Sequence, residues 1–276
     1  METNSKYIGF SEVDNTEDPQ FFVNCLNEQY AKGSVHRYNK QRTLQLVDLQ
    51  AGQTILDVGC GIGLDAIQMA AQVGEIGHVF GVDNSQEMIA TAKSNAAHLK
   101  LPLTFQYGNI YQLEFKENFF DRCRVDHTFQ HLSDPRAALR ELIRVTKPGG
   151  KIITTDPDHD SLIIDTPYAE VNLRFIRFRS DHMQQGGIAH QLYSLCKEFD
   201  LIDVHAEPLT HIYTDYEEKK ITSPYLAEIW VAQEYGAVTR EEAEKWTAYL
   251  QKSIEEDRFM CMQTYIITTA VKPGDM

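Results

Sequence analysis

The sequence predicts an α/β protein built on an open, doubly wound, mostly parallel sheet. Two observations carry that expectation. Short β-rich runs alternate with helical stretches long enough to cross over a parallel sheet. The first run, Thr54-Ile-Leu-Asp-Val58, also breaks into a glycine turn, Gly59-Cys60-Gly61-Ile62-Gly63, just ahead of a helix. Three glycines so close together mark a backbone that bends sharply and leaves room beside it. Glycine costs roughly 0.5–1 kcal/mol of order wherever Ala would have served.

Along the chain, the first eighteen residues are polar and acidic and stop at Asp18-Pro19, as a loose arm would. From 21 to 49 the apolar spacing is helical, through Phe22, Leu26, Leu44 and Val47, with a break at Gly33-Ser34. Strands are predicted over 54–58, 78–82, 103–107, 119–125 and 151–155, and helices between them over 64–72, 85–99 and 135–146. After Asp156 the rhythm fails. Residues 157–187 hold two prolines, a basic stretch with Arg174, Arg177 and Arg179, and Gly186-Gly187. A helix over 188–199 and a strand over 201–207 restore the beat. A second interruption, 215–257, reads as helical with Trp246, Leu250 and Ile254 on one stripe, and an alternating strand over 259–271 ends the chain. The expected division is an N-terminal arm and helical cap (1–50) and a main domain (51–276) with lid insertions at 157–187 and 215–257.

Composition narrows the function. A formal charge of −14 argues against a nucleic-acid partner, which requires clustered Lys and Arg. The acid between Asp215 and Asp257 reads as a solvated helical face. Five scattered cysteines with no C-x-x-C pair form neither a disulfide framework nor a zinc site, and they fit a reducing cytoplasm. The sequence carries no signal-peptide pattern and no apolar run of the ~20 residues that cross a bilayer.

In an open parallel sheet, ligands sit beyond the strands' carboxyl ends, where the strand order reverses. A dinucleotide-binding turn would read G-x-G-x-x-G, but here the third glycine comes one place early. Asp57, two residues before the first glycine, would repel a pyrophosphate and suits an ammonium group. Asp83, 20 residues after Gly63 at the next strand end, is placed to accept both hydroxyls of a ribose. The glycine turn, Asp83, "GNI" at 108–110, "FFDRCRVDHTFQHLSDP" at 119–135 and "LRELIRVTKPGG" at 139–150 together resemble the class I S-adenosylmethionine (SAM)-dependent methyltransferases. Within them the chain is most similar to the small-molecule branch that includes the quinone-biosynthesis enzymes. The likeness runs from about Tyr30 to Pro208.

That resemblance implies strand order 3-2-1-4-5-7-6, with the last strand antiparallel. It implies SAM as cofactor, S-adenosylhomocysteine (SAH) as product and a small-molecule methyl acceptor. By the same likeness Asp57 would accept from the methionyl ammonium, and Gly59, Cys60 and Gly61 would run beneath the methionine and ribose. Asp83 would hold the ribose. Asn84, Met88, Gly108, Asn109 and Ile110 would border the adenine, Asn109 through its side-chain carbonyl, although Met88 and Ile110 serve equally well as core. Val125, Asp126 and His131 would close the methionine end, with Tyr30 folding over from the N-terminal segment that also carries His36.

A methyl leaves a sulfonium readily, so alignment and exclusion of water can supply much of the catalysis. His127 and His131 are the candidate general bases for an acceptor that must lose a proton, His131 serving alternatively as a hydrogen-bonding wall and His127 as pocket lining. The cluster Asp156, Asp158, His159 and Asp160, which leaves the fifth strand at the ligand end, reads as structural or substrate-facing, with a metal site as the alternative. Arg174, Arg177 and Arg179 read as a solvated lid helix, with binding of an anionic substrate as the alternative. Two readings compete with an enzyme of this kind: a nicotinamide-dependent oxidoreductase and a non-catalytic SAM-binding protein. The acceptor atom and the oligomeric state are not written in the sequence.

Overall fold

The alternating runs fold into one twisted sheet with helices on both faces. The computed structural model describes residues 9–221 and 223–274, apart from the side chains at 32 and 34–36. The start of the predicted arm (1–8) and the His36 side chain lie outside the described residues. The strands are β1 (Thr54–Val58), β2 (His78–Asp83), β3 (Leu103–Tyr107), β4 (Phe120–Asp126), β5 (Thr146–Pro157), β6 (Ile163–Ile164), β7 (Ile202–Tyr213) and β8 (Cys261–Val271). Their order is β3-β2-β1-β4-β5-β8-β7, with the short β6 paired to the start of β8. Pairings from β3 to β5 are parallel, whereas β8 runs antiparallel to both β5 and β7. The expected order 3-2-1-4-5-7-6 is therefore present, its last two numbers raised by one because β6 intervenes.

Burial on both faces explains the apolar strand sequences. Ile55 of β1 faces helices α3 (Leu64–Val73) and α4 (Gln86–Ala96), where Met69, Val73 and Ile89 pack. Leu56 and Val58 face the opposite layer, α5 (Pro135–Val145) and α7 (Ile188–Glu198), through Leu139, Leu142 and Leu192. Side chains of successive strand residues point to opposite faces, so one strand serves both layers. Asp134 and Ser85 cap α5 and α4 by accepting the N–H groups of Ala137 and Met88.

The predicted helical segment before β1 is two helices, α1 (Pro19–Lys32) and α2 (Ser34–Val47), parted at Gly33. The arm ahead of them is not loose over its described part. Phe10 packs edge-on against Phe22 at 4.8 Å, and Val13 is buried. Asp14 accepts from Ser85 Oγ and Gln86 N at 2.5 and 2.6 Å. A carboxylate at a helix N-terminus is favoured by its unpaired N–H groups and dipole, which the acidic composition alone does not reveal.

The two insertions join. Helices α6 (Ala169–His182), α8 (Tyr216–Lys220), α9 (Tyr225–Glu234) and α10 (Arg240–Glu255) share one apolar cluster around Phe175, Tyr225, Ile229, Trp246 and Leu250. The outer side of α10 carries ion pairs such as Lys245–Glu241. The acidic stretch is thus solvated on one face and fully buried on the other. This helical layer stands over the carboxyl ends of the sheet.

Candidate active site

The glycine turn leaves β1 with Gly59, Gly61 and Gly63 at φ of 71°, 51° and 79°. Side chains other than glycine's are strained there. A Cβ at Gly59 would fall 2.1 Å from Thr128 Oγ1, and one at Gly63 would fall 2.4 Å from the Phe105 ring. At both positions the protein's own packing demands glycine. At Gly61 an added Cβ would meet Leu26 Cδ1 at 3.0 Å, on the wall of a large cavity. Asp83 ties the next strand to this turn: its carboxylate accepts from Gly61 N at 2.8 Å and Ser85 N at 3.0 Å. Burial pushes Asp83 up to about 6, against the pull of those two N–H groups.

Behind the turn lies a buried charge cluster. Arg124, in register with Asp57 across β1 and β4, donates to Asp57 Oδ1 at 2.8 Å and to Asp65 Oδ2 at 2.7 Å. Lys40 of α2 reaches Asp65 at 2.7 Å, and both cations also contact Asp126 Oδ2. Tyr30 hydrogen-bonds Asp65 from α1. Burial raises Asp57 to about 6 despite Arg124, and its Oδ2 is buried with no hydrogen-bond partner. Burial acts on Asp65 in the same sense, but Arg124 and Lys40 draw it down to about 2. They likewise hold Asp126 well below the usual carboxylate range against its burial. Three carboxylates face two cations, so the ionised cluster carries one negative charge.

Asp126 also fixes a histidine. Its Oδ1 lies 2.6 Å from His127 Nδ1, so Nδ1 carries the proton and Nε2 is the basic nitrogen. His127 sits at φ 55°, a sparsely populated conformation of the kind found where side chains must be aimed. His131 differs: burial lowers it to about 4, its Nδ1 is buried without a partner, and its ring lies 5.9 Å from Phe10. Gln130 donates Nε2 to the His127 carbonyl and presents Oε1 to His159 Nε2 at 2.8 Å.

These groups line one cavity of about 1130 Å³ between the sheet ends, α1, the arm and the helical layer. Of the sequence-predicted residues, Tyr30, Asp57, Gly59, Cys60, Gly61, Asp83, Asn84, Met88, Gly108, Asn109, Ile110, Asp126, His127 and His131 all line it. Val125 does not. It is buried in the core behind β4, because strand alternation turns Arg124 and Asp126 to the site and Val125 away. Arg124 occupies one oxygen of Asp57 and leaves Oδ2 without a hydrogen-bond partner. Asn109 accepts from Tyr111 N at 2.9 Å, so the carbonyl assigned to adenine already holds its own loop. The basic stretch divides: Arg174 pairs with Glu242 and Arg177 with Asp181 at the surface, while Arg179 is buried in the cavity wall. Asp156 is buried and accepts from Gln130 N, and Asp158 caps a short turn beside Asp160 and His190, away from the cavity.

Sequence reasoning missed Lys40, Asp65, Arg124, Lys219 and Glu228, and found His159 only as a member of the acidic cluster after β5. Only Arg124 left a signal, a charge inside a run that a doubly covered sheet should keep apolar.

A family model described as a methyltransferase domain matches residues 49–197, more than half of the chain. The chain belongs to the methyltransferase-domain family. An uncharacterized transposon protein of Streptomyces fradiae is 34% identical over 68% of this chain and 54% of its own length. The demethylmenaquinone methyltransferase of Oceanobacillus iheyensis is 35% identical over 46% of this chain and 54% of its own. The chain thus spans about half the length of the curated relatives it matches. Among solved structures, the YcgJ protein of Bacillus subtilis superposes with TM-score 0.62 at 18% identity, over 87% of this chain and 100% of that one. Phosphoethanolamine N-methyltransferase 2 of Haemonchus contortus, solved with phosphomonomethylethanolamine and SAH, superposes with TM-score 0.62 at 20% identity, over 96% and 60%. At such identities the likeness is one of fold, and it is the fold described above. Membership in this family leaves the nicotinamide oxidoreductase reading without support. No helix among the described residues is long and apolar enough to cross a membrane.

Proposed function

We propose that the chain is a SAM-dependent methyltransferase acting on a small molecule held beneath the helical layer. The observation that carries this reading is the cavity itself. It opens at the glycine turn, where strand order reverses between β1 and β4, with Asp83 at its edge. Its volume of about 1130 Å³ exceeds the ~300–1,000 Å³ typical of one small ligand, as two substrates side by side require.

The residues fit the cofactor. The unpartnered Asp57 Oδ2 and the single negative charge of the cluster suit the methionyl ammonium. Asp83 keeps unused lone pairs for the ribose hydroxyls. Asn84, Met88, Gly108 and Ile110 form the adenine slot, where Asn109 offers its amide Nδ2. Tyr30 and His131 close the methionine end.

Bound SAM supplies a methyl group activated by its sulfonium. The chain's residues contribute alignment, dryness and a proton acceptor. Asp126 holds the His127 ring and stabilises the positive charge it acquires. Nε2 of His127 takes the proton of an acceptor O–H or N–H as that atom attacks. His131, with its value near 4, stays neutral and serves as wall.

Titration calorimetry tests this. One SAM or SAH per chain is expected, with no binding of a nicotinamide dinucleotide. Absence of SAM and SAH binding at millimolar concentration would end the reading.

A further inference from the structure

One imidazole in the cavity wall is held in a single tautomer, with a lone pair that no described residue meets. His159 stands in the short turn after β5, which packs against α6; it is 8% exposed and lines the cavity. Its backbone N–H donates to Gly186 O at 3.1 Å, and its Nε2 lies 2.8 Å from Gln130 Oε1. Gln130 is itself pinned. Its backbone N–H donates to Asp156 Oδ1 at 3.1 Å, its backbone carbonyl accepts from Gln185 N at 3.0 Å, and its side-chain Nε2 donates to the His127 carbonyl at 3.2 Å.

Those bonds decide where the protons lie. A backbone carbonyl can only accept, so the Gln130 amide turns its Nε2 to His127 and its Oε1 to His159. Oε1 accepts in turn, so His159 carries its proton on Nε2. Burial holds His159 well below its ordinary value, so the ring is neutral and Nδ1 keeps a bare lone pair. That atom is buried with no hydrogen-bond partner. The ring is clamped at its backbone and at Nε2 and cannot turn to find a donor without breaking those bonds. A buried acceptor left unmet is costly, and this one belongs to a residue in the wall of a ligand-sized cavity.

We propose that the methyl acceptor carries a second hydrogen-bond donor, an O–H or N–H, that seats on His159 Nδ1. This rests on the reading of the chain as a small-molecule methyltransferase. The cofactor's place is the glycine turn at the ends of β1 and β2, whereas His159 follows β5 beside α6, so the donor belongs to the acceptor. Gln130 bridges the His127 carbonyl and the His159 ring, which makes the base and this subsite neighbours on one wall. One acceptor O–H or N–H faces His127 Nε2 and gives up its proton. The other donates to His159 and keeps its own. A diol, an amino alcohol or a primary amine meets both demands; a molecule with a single hydroxyl does not. His159 is thereby a specificity residue, because an analogue without the second donor leaves Nδ1 unmet.

The test uses pairs of probes that differ by one donor: catechol against guaiacol, and aniline against N-methylaniline. Binding to the full chain is measured by calorimetry with and without saturating SAH, and the histidine ring nitrogens are followed by NMR in the same samples. The donor-rich member of at least one pair is expected to bind about tenfold more tightly. It should also move the unprotonated Nδ1 signal of His159, identified by its loss in His159→Gln. That variant keeps a donor for Gln130 in the place of Nε2 but lacks the Nδ1 lone pair. Its preference within the pair should fall below about threefold while SAH affinity stays within about twofold. His159→Asn, whose side-chain oxygen takes the place of Nδ1, should keep more of the preference than His159→Gln, a ranking that a merely structural role does not produce. Equal affinity within both pairs, or a His159 Nδ1 signal that no probe moves, overturns the proposal. A signal moved by SAH alone overturns it too, since the donor would then be the cofactor's. Should a variant not fold, the wild-type pairs and spectra still decide. Failure of SAH to bind would count against the methyltransferase reading alone, because the pairs are also measured without it.

Discussion

Asp57 and Asp83 are both raised to about 6 by burial, so under the proposed placement against the cofactor its affinity should depend on pH over a range where the ligand itself does not titrate. An α-carboxyl titrates near 3.3–3.7 and an α-amino group near 7.7–8.0, so between pH 5 and 7 SAH holds a constant charge. With values of about 6, each carboxyl goes from about one part in eleven ionised at pH 5 to about ten in eleven at pH 7. If the ammonium requires ionised Asp57, affinity rises about tenfold over that range, about 1.4 kcal/mol; if the ribose also requires ionised Asp83, about a hundredfold. His131, at about 4, stays neutral throughout. Titration calorimetry with SAH at fixed ionic strength reads the slope, and Asp57→Asn should remove one tenfold step. An affinity that is flat from pH 5 to 7 in the wild type would refute the placement of both carboxylates against the cofactor. The unliganded protein should show the linked effect. Both carboxyls hold a proton more tightly folded, at about 6, than at their ordinary 3.8. The stability they contribute is complete below about pH 3.8 and is lost as pH rises through 6.

Further outcomes follow from the same geometry. His127→Asn should lower the rate of methyl transfer by about 10²–10⁴-fold with little change in SAH affinity, read in single-turnover experiments, whereas Asp126→Asn should lower the rate and also weaken SAH, because it removes the cluster's net negative charge; near-normal turnover of His127→Asn would remove His127 as the base. Arg124→Met leaves three buried carboxylates with Lys40 alone and should cost about 3–5 kcal/mol in urea unfolding at pH 7. Gly59→Ala should lower Tm through its left-handed φ and the 2.1 Å approach to Thr128, and Thr128→Ala in the same chain should restore part of the loss; no rescue means the clash is not the cause. Residues 157–187 and 215–257 share one apolar cluster, so their amides should gain hydrogen-exchange protection together when SAH and acceptor bind, while 54–58 and 120–126 stay protected throughout. Independent behaviour of the two insertions would contradict a single lid.

What the sequence determined is what is local or periodic. The β/α beat, the glycine turn and the strand-end acids each sit within a few residues of one another, so their spacing announces the parallel sheet and the end of it that faces the cavity. Alternation also implies which strand residues share a face, and it turns Val125 to the core while Arg124 and Asp126 face the cavity. Tertiary structure decided everything that joins distant segments. Asp126 meets Lys40 across 86 residues and Arg124 meets Asp65 across 59, while Arg179 and Glu228 come from separate insertions 49 residues apart. A charged residue buried with a partner and one standing in water read identically in sequence, because the cost of desolvation appears only once the chain has closed around them. For the same reason the two insertions, each without a motif, became legible only when Phe175, Tyr225 and Trp246 packed into one cluster.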